Sequence, residues 1–378
     1  MTIPETVEMA EAVLRSGGDL TSPDKTGKTP LHYACLSGNL DLVEYLLTLG
    51  VPVDIRDSEH SQVPLHFAAK MGHVDCTSLL LQVGVDAELA DKLGWTAVHH
   101  AVAETHINVV KVLIANGASL CIQSESGLTP LHLATTRGSL DMVKLVLENC
   151  KALVSIEDNQ GQTALHYACK FGFEDIGELL LASGVDTTVV DDKGWSALHL
   201  AANGGFARIT YLLLQSGAIP NKLTKQGSAP VHLCLENYLK VKKDGDEAMI
   251  DRYKETLINL IDNGGRISLT DVNGVSVYDR LTEMNEKEFL STLQQHRRNY
   301  KKTISKRSKV APPWTPDDVV DQCQLNCGVN FSIFNRKHHC RSCGKCVCHS
   351  CSNHRVALPS LGFFSPVRVC KTCYSEQN

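Results

Sequence analysis

The chain has 378 residues, and its composition of 43% hydrophobic and 21% charged residues is typical of a folded globular protein. No apolar run approaches the roughly 18 residues that a membrane-spanning helix requires. The first ten residues lack both the basic and the apolar region of a secretion signal, so we expect a protein that is not secreted.

The cysteines and the charges are distributed unevenly along the chain. Six of the 15 cysteines lie in residues 1–296, and nine lie after that point. The net charge of −5 divides into 23 − 38 = −15 for residues 1–296 and 14 − 4 = +10 for the remainder. Crowded cysteines in a chain that is not secreted favour metal ligands over disulfides. The sequence therefore predicts an acidic body and a basic, metal-binding tail.

The body contains a motif that recurs along most of its length. Its first copy is Thr29-Pro30-Leu31-His32, and successive histidines of the motif are 34, 33, 33, 34, 33 and 33 residues apart. This period and the Thr-Pro-Leu-His core resemble the ankyrin repeat. The resemblance implies an all-α ankyrin solenoid of about seven full repeats plus caps over residues 1–296. The repeat histidines are His32, His66, His99, His132, His166, His199 and His232.

The residues of each repeat also predict two helices without reference to a family. A Thr or Ser before the Pro-Leu-His core supplies an N-cap hydroxyl, and the proline fits the first helical turn. A glycine such as Gly38 permits the tight turn into a second helix, which carries an apolar stripe. Because one repeat cannot bury that stripe alone, the repeats must stack.

The two ends of the array depart from the repeat pattern. We expect a partial N-terminal repeat that consists of a single helix, and a C-terminal cap over residues 271–296. The residue at the histidine position of this cap is Asp279, 47 residues after His232, and we assign the excess to a surface loop at 238–252. We interpret residues 297–313 as a basic linker.

The array shows no sign of catalysis, because neither a nucleophile–base pair nor a phosphate loop is apparent. The resemblance implies that the repeat histidines bond locally between repeats and that the concave side of the array binds a protein. Exposed aromatic, Met and Arg side chains are enriched at such surfaces. For the two tryptophans, packing along the hairpin row is an equally good interpretation. The candidates are Trp95, Trp195, Lys70, Met71, Arg137, Lys170 and Phe171.

Eight of the nine tail cysteines form four closely spaced pairs. Three pairs have the Cys-x-x-Cys spacing, in which two thiolates reach one tetrahedral Zn²⁺. Four pairs make two four-cysteine sites, and a segment of about 60 residues has too small a core to fold without such metals. The spacing alone also fits a RING-like or PHD-like finger. The pairs are Cys323/Cys327, Cys340/Cys343, Cys348/Cys351 and Cys370/Cys373.

The residues around these cysteine pairs distinguish among these classes of zinc finger. Trp314-Thr315-Pro316-Asp317, Arg336-Lys337-His338-His339-Cys340-Arg341 and Arg368-Val369-Cys370 resemble, in order and spacing, the three signature motifs of the FYVE domain. The resemblance covers residues 314–376 and implies a small two-zinc cross-brace finger. It further implies that the first pair shares a zinc ion with the third, and the second with the fourth. One departure is that the first pair is Cys-x₃-Cys rather than Cys-x₂-Cys.

FYVE domains bind phosphatidylinositol 3-phosphate on early endosomal membranes, and the motif residues suit that ligand. Arginine makes bidentate, charge-assisted hydrogen bonds to phosphate, and the basic linker adds attraction to an anionic leaflet. The resemblance assigns membrane insertion to Ile333 and Phe334, which precede the basic motif. It assigns the lipid head group to Trp314, Asp317, Arg336, Lys337, His338, His339, Arg341 and Arg368.

The order of the two modules resembles that of the ankyrin-repeat and FYVE-domain endosomal proteins of the Rabankyrin type. We therefore expect a non-enzymatic adaptor that is cytoplasmic and peripheral on early endosomes. Its array recruits a protein, such as a small GTPase or a trafficking factor. The acidic body argues against a nucleic-acid ligand, because it repels a phosphate backbone. The alternatives are a ubiquitin ligase with a RING-like finger and a soluble ankyrin scaffold with a purely structural finger.

Overall fold

The computed structural model describes residues 4–306 and, in the tail, four short β-strands. The described residues divide into two units, Met1–Asn259 with Thr270–Val275 and Leu260–Leu269 with Ser276–Asn378. The helices are α1 (Val7–Arg15), α2 (Pro30–Ser37), α3 (Leu40–Thr48), α4 (Pro64–Met71), α5 (Val74–Gln82), α6 (Ala97–Ala103), α7 (Ile107–Ala115), α8 (Pro130–Thr136), α9 (Leu140–Asn149), α10 (Ala164–Phe171), α11 (Glu174–Ala182), α12 (Ala197–Asn203), α13 (Ala207–Gln215), α14 (Pro230–Asp244), α15 (Glu247–Asp262), α16 (Val277–Glu283) and α17 (Lys287–Lys306).

The first unit is the stack of helix pairs that the repeat predicts. Its inner row consists of α2, α4, α6, α8, α10, α12 and α14, and each of these helices packs against the next. The outer-row helices α3, α5, α7, α9, α11 and α13 each follow an inner helix, and their apolar stripes are buried. Hydrophobic burial between neighbours therefore runs along the whole stack, which confirms the solenoid.

Each inner helix begins at a capping box closed by the repeat histidine. The Nδ1 atom of the histidine accepts the backbone N–H of the N-cap residue, as from Thr29 to His32 at 3.0 Å. The Nε2 atom then carries the proton, and in His32 it donates to the carbonyl of Gln62 in the next repeat at 3.2 Å. Equivalent bonds from Nε2 join His66 to Leu89, His132 to Gln162 and His199 to Lys222. The prediction that the repeat histidines bond between repeats is thus confirmed for these four, whereas the Nε2 atoms of His99 and His166 are buried without a hydrogen-bond partner.

The expected surface loop at 238–252 is helical instead. Helix α14 continues to Asp244 and α15 begins at Glu247, so only Gly245 and Asp246 interrupt the helices there. Gly245 is the sole helix-breaking residue of this stretch, and its φ of 78° provides the left-handed C-cap of α14. The extra residues of this repeat therefore lengthen its two helices.

The second unit contains α16 and α17. In the cap, Asp279 replaces the repeat histidine and preserves the capping box, because its carboxylate accepts the Ser276 backbone N–H at 2.9 Å. Helix α17 continues through residue 296, the expected end of the cap, to Lys306. The first part of the expected basic linker is therefore helical. Among the described helices, none is both long and apolar enough to cross a membrane.

The four tail strands form two antiparallel pairs. Strand β1 (His338–His339) pairs with β2 (Cys346–Val347), and β3 (His354–Leu358) pairs with β4 (Phe363–Val369). In the second pair, the first residue of β3, His354, lies opposite the last residue of β4, Val369. Two short hairpins are thus the regular structure described in the tail.

The buried histidines predict that the array is less stable in acid. Burial lowers the pKa of His66, His99 and His199 to about 4. Burial also lowers the pKa of three further repeat histidines, His32, His132 and His166. A proton on Nδ1 would face the capped backbone N–H, so only the neutral ring fits the capping box.

Linkage gives the sign of the pH effect. An unfolded histidine titrates near pH 6.5, so the folded, neutral ring contributes its full stabilisation above that pH. The stabilisation is lost as the pH falls from about 6.5 to about 4, by on the order of 3 kcal/mol for each histidine with a pKa of about 4. We expect the urea midpoint, followed by helical circular dichroism, to fall from pH 7.5 to pH 5. His99→Gln should flatten this dependence, and an unchanged midpoint in the wild type would contradict the assignment.

Candidate functional site

The turn before each inner helix is called here the finger loop, and in five of the seven repeats it is built around an aspartate, which Ser124 and Thr224 replace in the fourth and seventh. Asp24 accepts a hydrogen bond from the Tyr33 hydroxyl at 2.7 Å, and Asp158 accepts one from Tyr167 at the same distance. In the third repeat His100 replaces this tyrosine, and its Nε2 lies 2.9 Å from Asp91. The finger aspartate is thus fixed by a side chain of its own inner helix.

The finger loops are also joined from one repeat to the next. Gln62 donates to Asp91 at 3.0 Å, and Gln162 donates to Asp191 at 3.1 Å. Burial alone would raise the pKa of Asp91, but hydrogen bonds from His100 and Gln62 hold it well below its usual range. Asp91 is therefore a charged but satisfied structural group, and sequence reasoning missed this network because its members lie up to 38 positions apart.

The second finger loop is the irregular one. It has one residue more than the first, and Ser61 adopts a φ of 57°, in the left-handed region that glycine occupies in the other finger loops. Phe67 stands where the first and fifth repeats have tyrosine, so it cannot donate to Asp57. The Oδ2 atom of Asp57 is buried and accepts no hydrogen bond.

Among the described residues, Asp57, Glu59 and His60 form a group of possible metal ligands. The Lys28 ammonium lies 3.0 Å from a Glu59 carboxylate oxygen and 3.6 Å from Oδ2 of Asp57. Burial opposes the charge of Lys28, yet Glu59 and Asp57 raise its pKa. The positive charge at this group of acidic side chains is therefore supplied by Lys28. We assign the group a structural role.

The two tryptophan candidates are half-buried at the ends of finger loops. The Trp95 ring lies 5.2 Å from that of His100 and 6.3 Å from that of His99. The Trp195 ring lies 6.3 Å from that of His199. These contacts with the capping histidines favour the packing interpretation for both rings.

The other five array candidates are exposed at the end of the inner helices. Met71 is 46% and Phe171 is 43% exposed, and Lys70, Arg137 and Lys170 are exposed as well. The Lys170 ammonium lies 5.5 Å from the Phe171 ring centre and 5.9 Å from that of Tyr167, within the range of cation–π attraction. Phe173, which sequence reasoning missed, lies 5.8 Å from Phe171. The structure thus brings a lysine and aromatic rings together on the fifth repeat.

In the tail, the backbone is described only for part of the predicted sites. His338 and His339 form β1, and Arg368 lies on β4 opposite Arg355. The other predicted head-group and insertion residues lie outside the described residues, as do the eight zinc ligands. They are Trp314, Asp317, Arg336, Lys337, Arg341, Ile333, Phe334, Cys323, Cys327, Cys340, Cys343, Cys348, Cys351, Cys370 and Cys373.

Four of the predicted zinc ligands stand close in sequence to the described strands. Cys351 precedes β3 and Cys370 follows β4 in the sequence. Cys340 directly follows β1, and Cys348 directly follows β2. A donor set made only of thiolates in closely spaced pairs suits Zn²⁺.

A stack of helix pairs with periodic buried histidines, followed by a cysteine-rich tail, defines a repeat-array protein with a zinc finger. The family model "Ankyrin repeats (3 copies)" matches residues 49–124, 116–191 and 178–243, and the single ankyrin repeat model matches 26–58. The model "FYVE zinc finger" matches residues 313–378. Because the ankyrin matches cover more than half of the chain, the chain belongs to the ankyrin-repeat family, and it carries a C-terminal FYVE domain.

Two curated relatives match short segments. The chain is 43% identical over 67 residues to zinc finger FYVE domain-containing protein 26 of Ailuropoda melanoleuca, which covers 18% of the chain and 3% of that protein. It is 47% identical over 64 residues to vacuolar protein sorting-associated protein 27 of Saccharomyces cerevisiae, which covers 16% of the chain and 10% of that protein. The chain thus spans a small part of the length of these relatives.

Solved structures resemble the array. The ankyrin repeat domain of Bcl-3, a member of the IkappaB protein family, aligns with a TM-score of 0.50 and 29% identity, over 55% of this chain and 95% of that one. The ankyrin repeat domain of human ASB11 aligns with a TM-score of 0.47 and 27% identity, over 55% of this chain and 91% of that one.

The uncapped Asp57 carboxylate predicts a stabilising substitution. Phe67→Tyr places a hydroxyl where Tyr33 and Tyr167 bond their finger aspartates, so we expect an increase in the free energy of unfolding of about 1 kcal/mol, measured by urea denaturation. Tyr167→Phe is the matched control and should lose about the same amount. A destabilised Phe67→Tyr variant would mean that the longer second finger loop holds Asp57 out of reach.

Proposed function

We propose that this protein is a non-enzymatic adaptor that binds endosomal membranes through its FYVE finger and a protein through its ankyrin array. The observation that carries the proposal is the combination of two binding modules in one chain, a FYVE match at 313–378 and ankyrin matches at 26–243. Both modules are typically non-catalytic. The described array agrees with that character, because most of its buried histidines and aspartates are held by structural hydrogen bonds.

The finger requires zinc in this proposal, with two ions per chain. The first ion is held by Cys323, Cys327, Cys348 and Cys351, and the second by the other two pairs. Thiolate ligands of this kind contribute folding free energy directly, so metal binding and folding of the finger are one process. The more widely spaced pair, Cys323 and Cys327 with its Cys-x₃-Cys spacing, contributes ligands to the first ion.

The lipid ligand of the proposal is phosphatidylinositol 3-phosphate. Its phosphates meet a cluster of cations in the tail, of which Arg336, Lys337 and Arg341 belong to a single motif. Ile333 and Phe334 enter the bilayer beside this motif, and the basic residues of α17 add long-range attraction to an anionic surface. Early endosomes are the proposed location because their cytosolic leaflet carries this lipid.

The array contributes a surface at the ends of its inner helices in repeats two, four and five. Its centre on the fifth repeat is the exposed ring of Phe171 with the Lys170 ammonium above it. Met71 adds a second apolar side chain, and Lys70 and Arg137 add charge. Aromatic residues, Met and Arg are enriched at protein interfaces, so we assign a protein as the ligand of this surface.

The lipid assignment is tested by liposome flotation of the full chain. Arg341→Ala or Lys337→Ala should abolish binding to vesicles containing phosphatidylinositol 3-phosphate, because each removes a charge-assisted contact with phosphate. The zinc content should remain at two ions per chain. Lys371→Ala, a tail cation outside the motifs, is the control and should float like the wild type. Retained flotation of Arg341→Ala at physiological salt would refute this head-group site.

The protein-binding surface is tested by a double substitution on the fifth repeat. Lys170→Ala with Phe171→Ala should weaken binding of the array's protein partner by about 2 kcal/mol, because it removes a hot-spot side chain and its cation. Affinity capture with quantitative mass spectrometry measures the loss. Tyr211→Ala on α13 is the matched control, since Tyr211 is 47% exposed on the outer row. Equal recovery with both variants would exclude this surface.

A further inference from the structure

Two cysteines of the array meet in space although they lie 29 positions apart. Cys121 and Cys150 are joined through their sulfur atoms, and their Cα atoms are 7.1 Å apart. Cys121 lies in the loop that enters the fourth repeat, and Cys150 directly follows α9, the outer helix of the same repeat. The contact therefore spans the fourth repeat from its start to its end.

Cys150 stands where the repeat pattern is broken. Outer helices of the other repeats end before a glycine in a left-handed conformation, such as Gly117 with φ 87° or Gly184 with φ 86°. Cys150 follows α9 instead, with a φ of −147°, and a short 3₁₀ helix at Lys151–Ser155 replaces the usual turn. The irregular exit of this repeat brings the Cys150 thiol beside the entering loop.

The position of Cys121 is one at which neighbouring loops contact each other. One repeat earlier, the Glu88 carboxylate accepts the backbone N–H of Ser119 in the following loop at 2.7 Å. Further along, the Lys222 ammonium donates to the carbonyl of Thr188 in the preceding loop at 2.8 Å. In the fourth repeat this row of contacts is made by two sulfur atoms.

The environment of the pair differs from that of the other cysteines in residues 4–301. Cys121 is exposed and Cys150 is half-buried, whereas Cys35, Cys76, Cys169 and Cys234 are buried free thiols. Burial raises the pKa of these four thiols and so disfavours the reactive thiolate. A solvent-borne oxidant reaches Cys121 first, and Cys150 lies next to it to resolve the product.

We propose that Cys121 and Cys150 form a reversible redox site that responds to hydroperoxides and clamps the fourth repeat when oxidised. The Cys121 thiol loses its proton to solvent, the thiolate attacks a peroxide oxygen and the O–O bond breaks, which leaves a sulfenic acid; the departing hydroxide or alkoxide takes up one proton and leaves as water or an alcohol. The Cys150 sulfur then attacks the sulfenic sulfur, the S–S bond forms, and the hydroxyl group leaves as water with the thiol proton. The two thiols lose two electrons in total, and a dithiol reductant returns two electrons and two protons.

The clamp acts on a repeat in the middle of the array. Closing the bond restricts the unfolded chain over the enclosed segment, which raises the stability of the oxidised array. Arg137, a residue of the candidate protein-binding surface, lies within that segment, between the repeats of Met71 and Phe171. The redox site therefore restrains one repeat of this surface, and it does not depend on lipid binding by the finger.

The test treats the zinc-loaded full chain with a slight excess of hydrogen peroxide, followed by alkylation of free thiols and peptide mass spectrometry. We expect a cross-linked peptide containing Cys121 and Cys150, its loss after incubation with excess dithiothreitol, and an unchanged zinc content. The oxidised protein should also melt a few degrees above the reduced protein in the helical signal.

Two single variants and their controls make this test decisive. Cys121→Ser and Cys150→Ser should each abolish both the cross-link and the melting shift, while retaining the fold of the reduced wild type. Cys76→Ser removes a buried thiol and should leave the cross-link intact. Absence of the bond in zinc-loaded wild type, pairing of either cysteine with another residue, or resistance of the bond to dithiothreitol in the folded chain would overturn the proposal.

Discussion

The array depends on a buried, neutral imidazole ring in six of its repeats. In four of these repeats the ring accepts a backbone N–H of its own helix cap through Nδ1 and donates to a carbonyl of the following repeat through Nε2. His32, for example, accepts from Thr29 and donates to Gln62. Only one tautomer of the neutral ring satisfies both bonds. Every repeat that makes both bonds therefore carries the ring proton on Nε2. The ring thus connects the start of its own inner helix to the repeat that stacks next to it. Removing a ring leaves two buried backbone groups unpaired, one on each side of the interface.

The periodic part of this structure could be predicted from the sequence, because each element of the repeat is a local signal. The Thr-Pro-Leu-His core marks the inner helix, and the glycines mark the ends of the helices. The insertion could not be predicted in the same way. Its polar composition suggested a loop, but a run with a single glycine and alternating charges continues two existing helices when one face of each is already buried, as Tyr238 and Tyr253 are. Tertiary burial thus decided the conformation that composition left open.

The candidate sites also divide into those that a local sequence signal predicts and those that depend on tertiary contacts. The exposure of Met71 and Phe171 follows from their register on the inner helix, so the repeat pattern located them correctly. The tryptophans share the repeat register as well, but their rings lie against the capping histidines His99 and His199, which the register alone does not specify. The Asp91–Gln62–His100 network joins different repeats, and the Cys121–Cys150 contact joins the start and the end of one repeat; no local signal in the sequence predicts either. Contacts of this kind become visible only when the stacking is known.

Departures from the repeat are therefore the informative positions of the array. A residue that satisfies the pattern, such as His132 or Asp158, is accounted for by bonds within the stack. Phe171 and Met71 make no bond that the stack requires, and their apolar side chains remain exposed to water. Cys150 replaces a turn that glycine makes elsewhere, and its thiol gains a partner in return. In a molecule stabilised by repetition, function concentrates where repetition stops, because only there are side chains released from the stacking contacts.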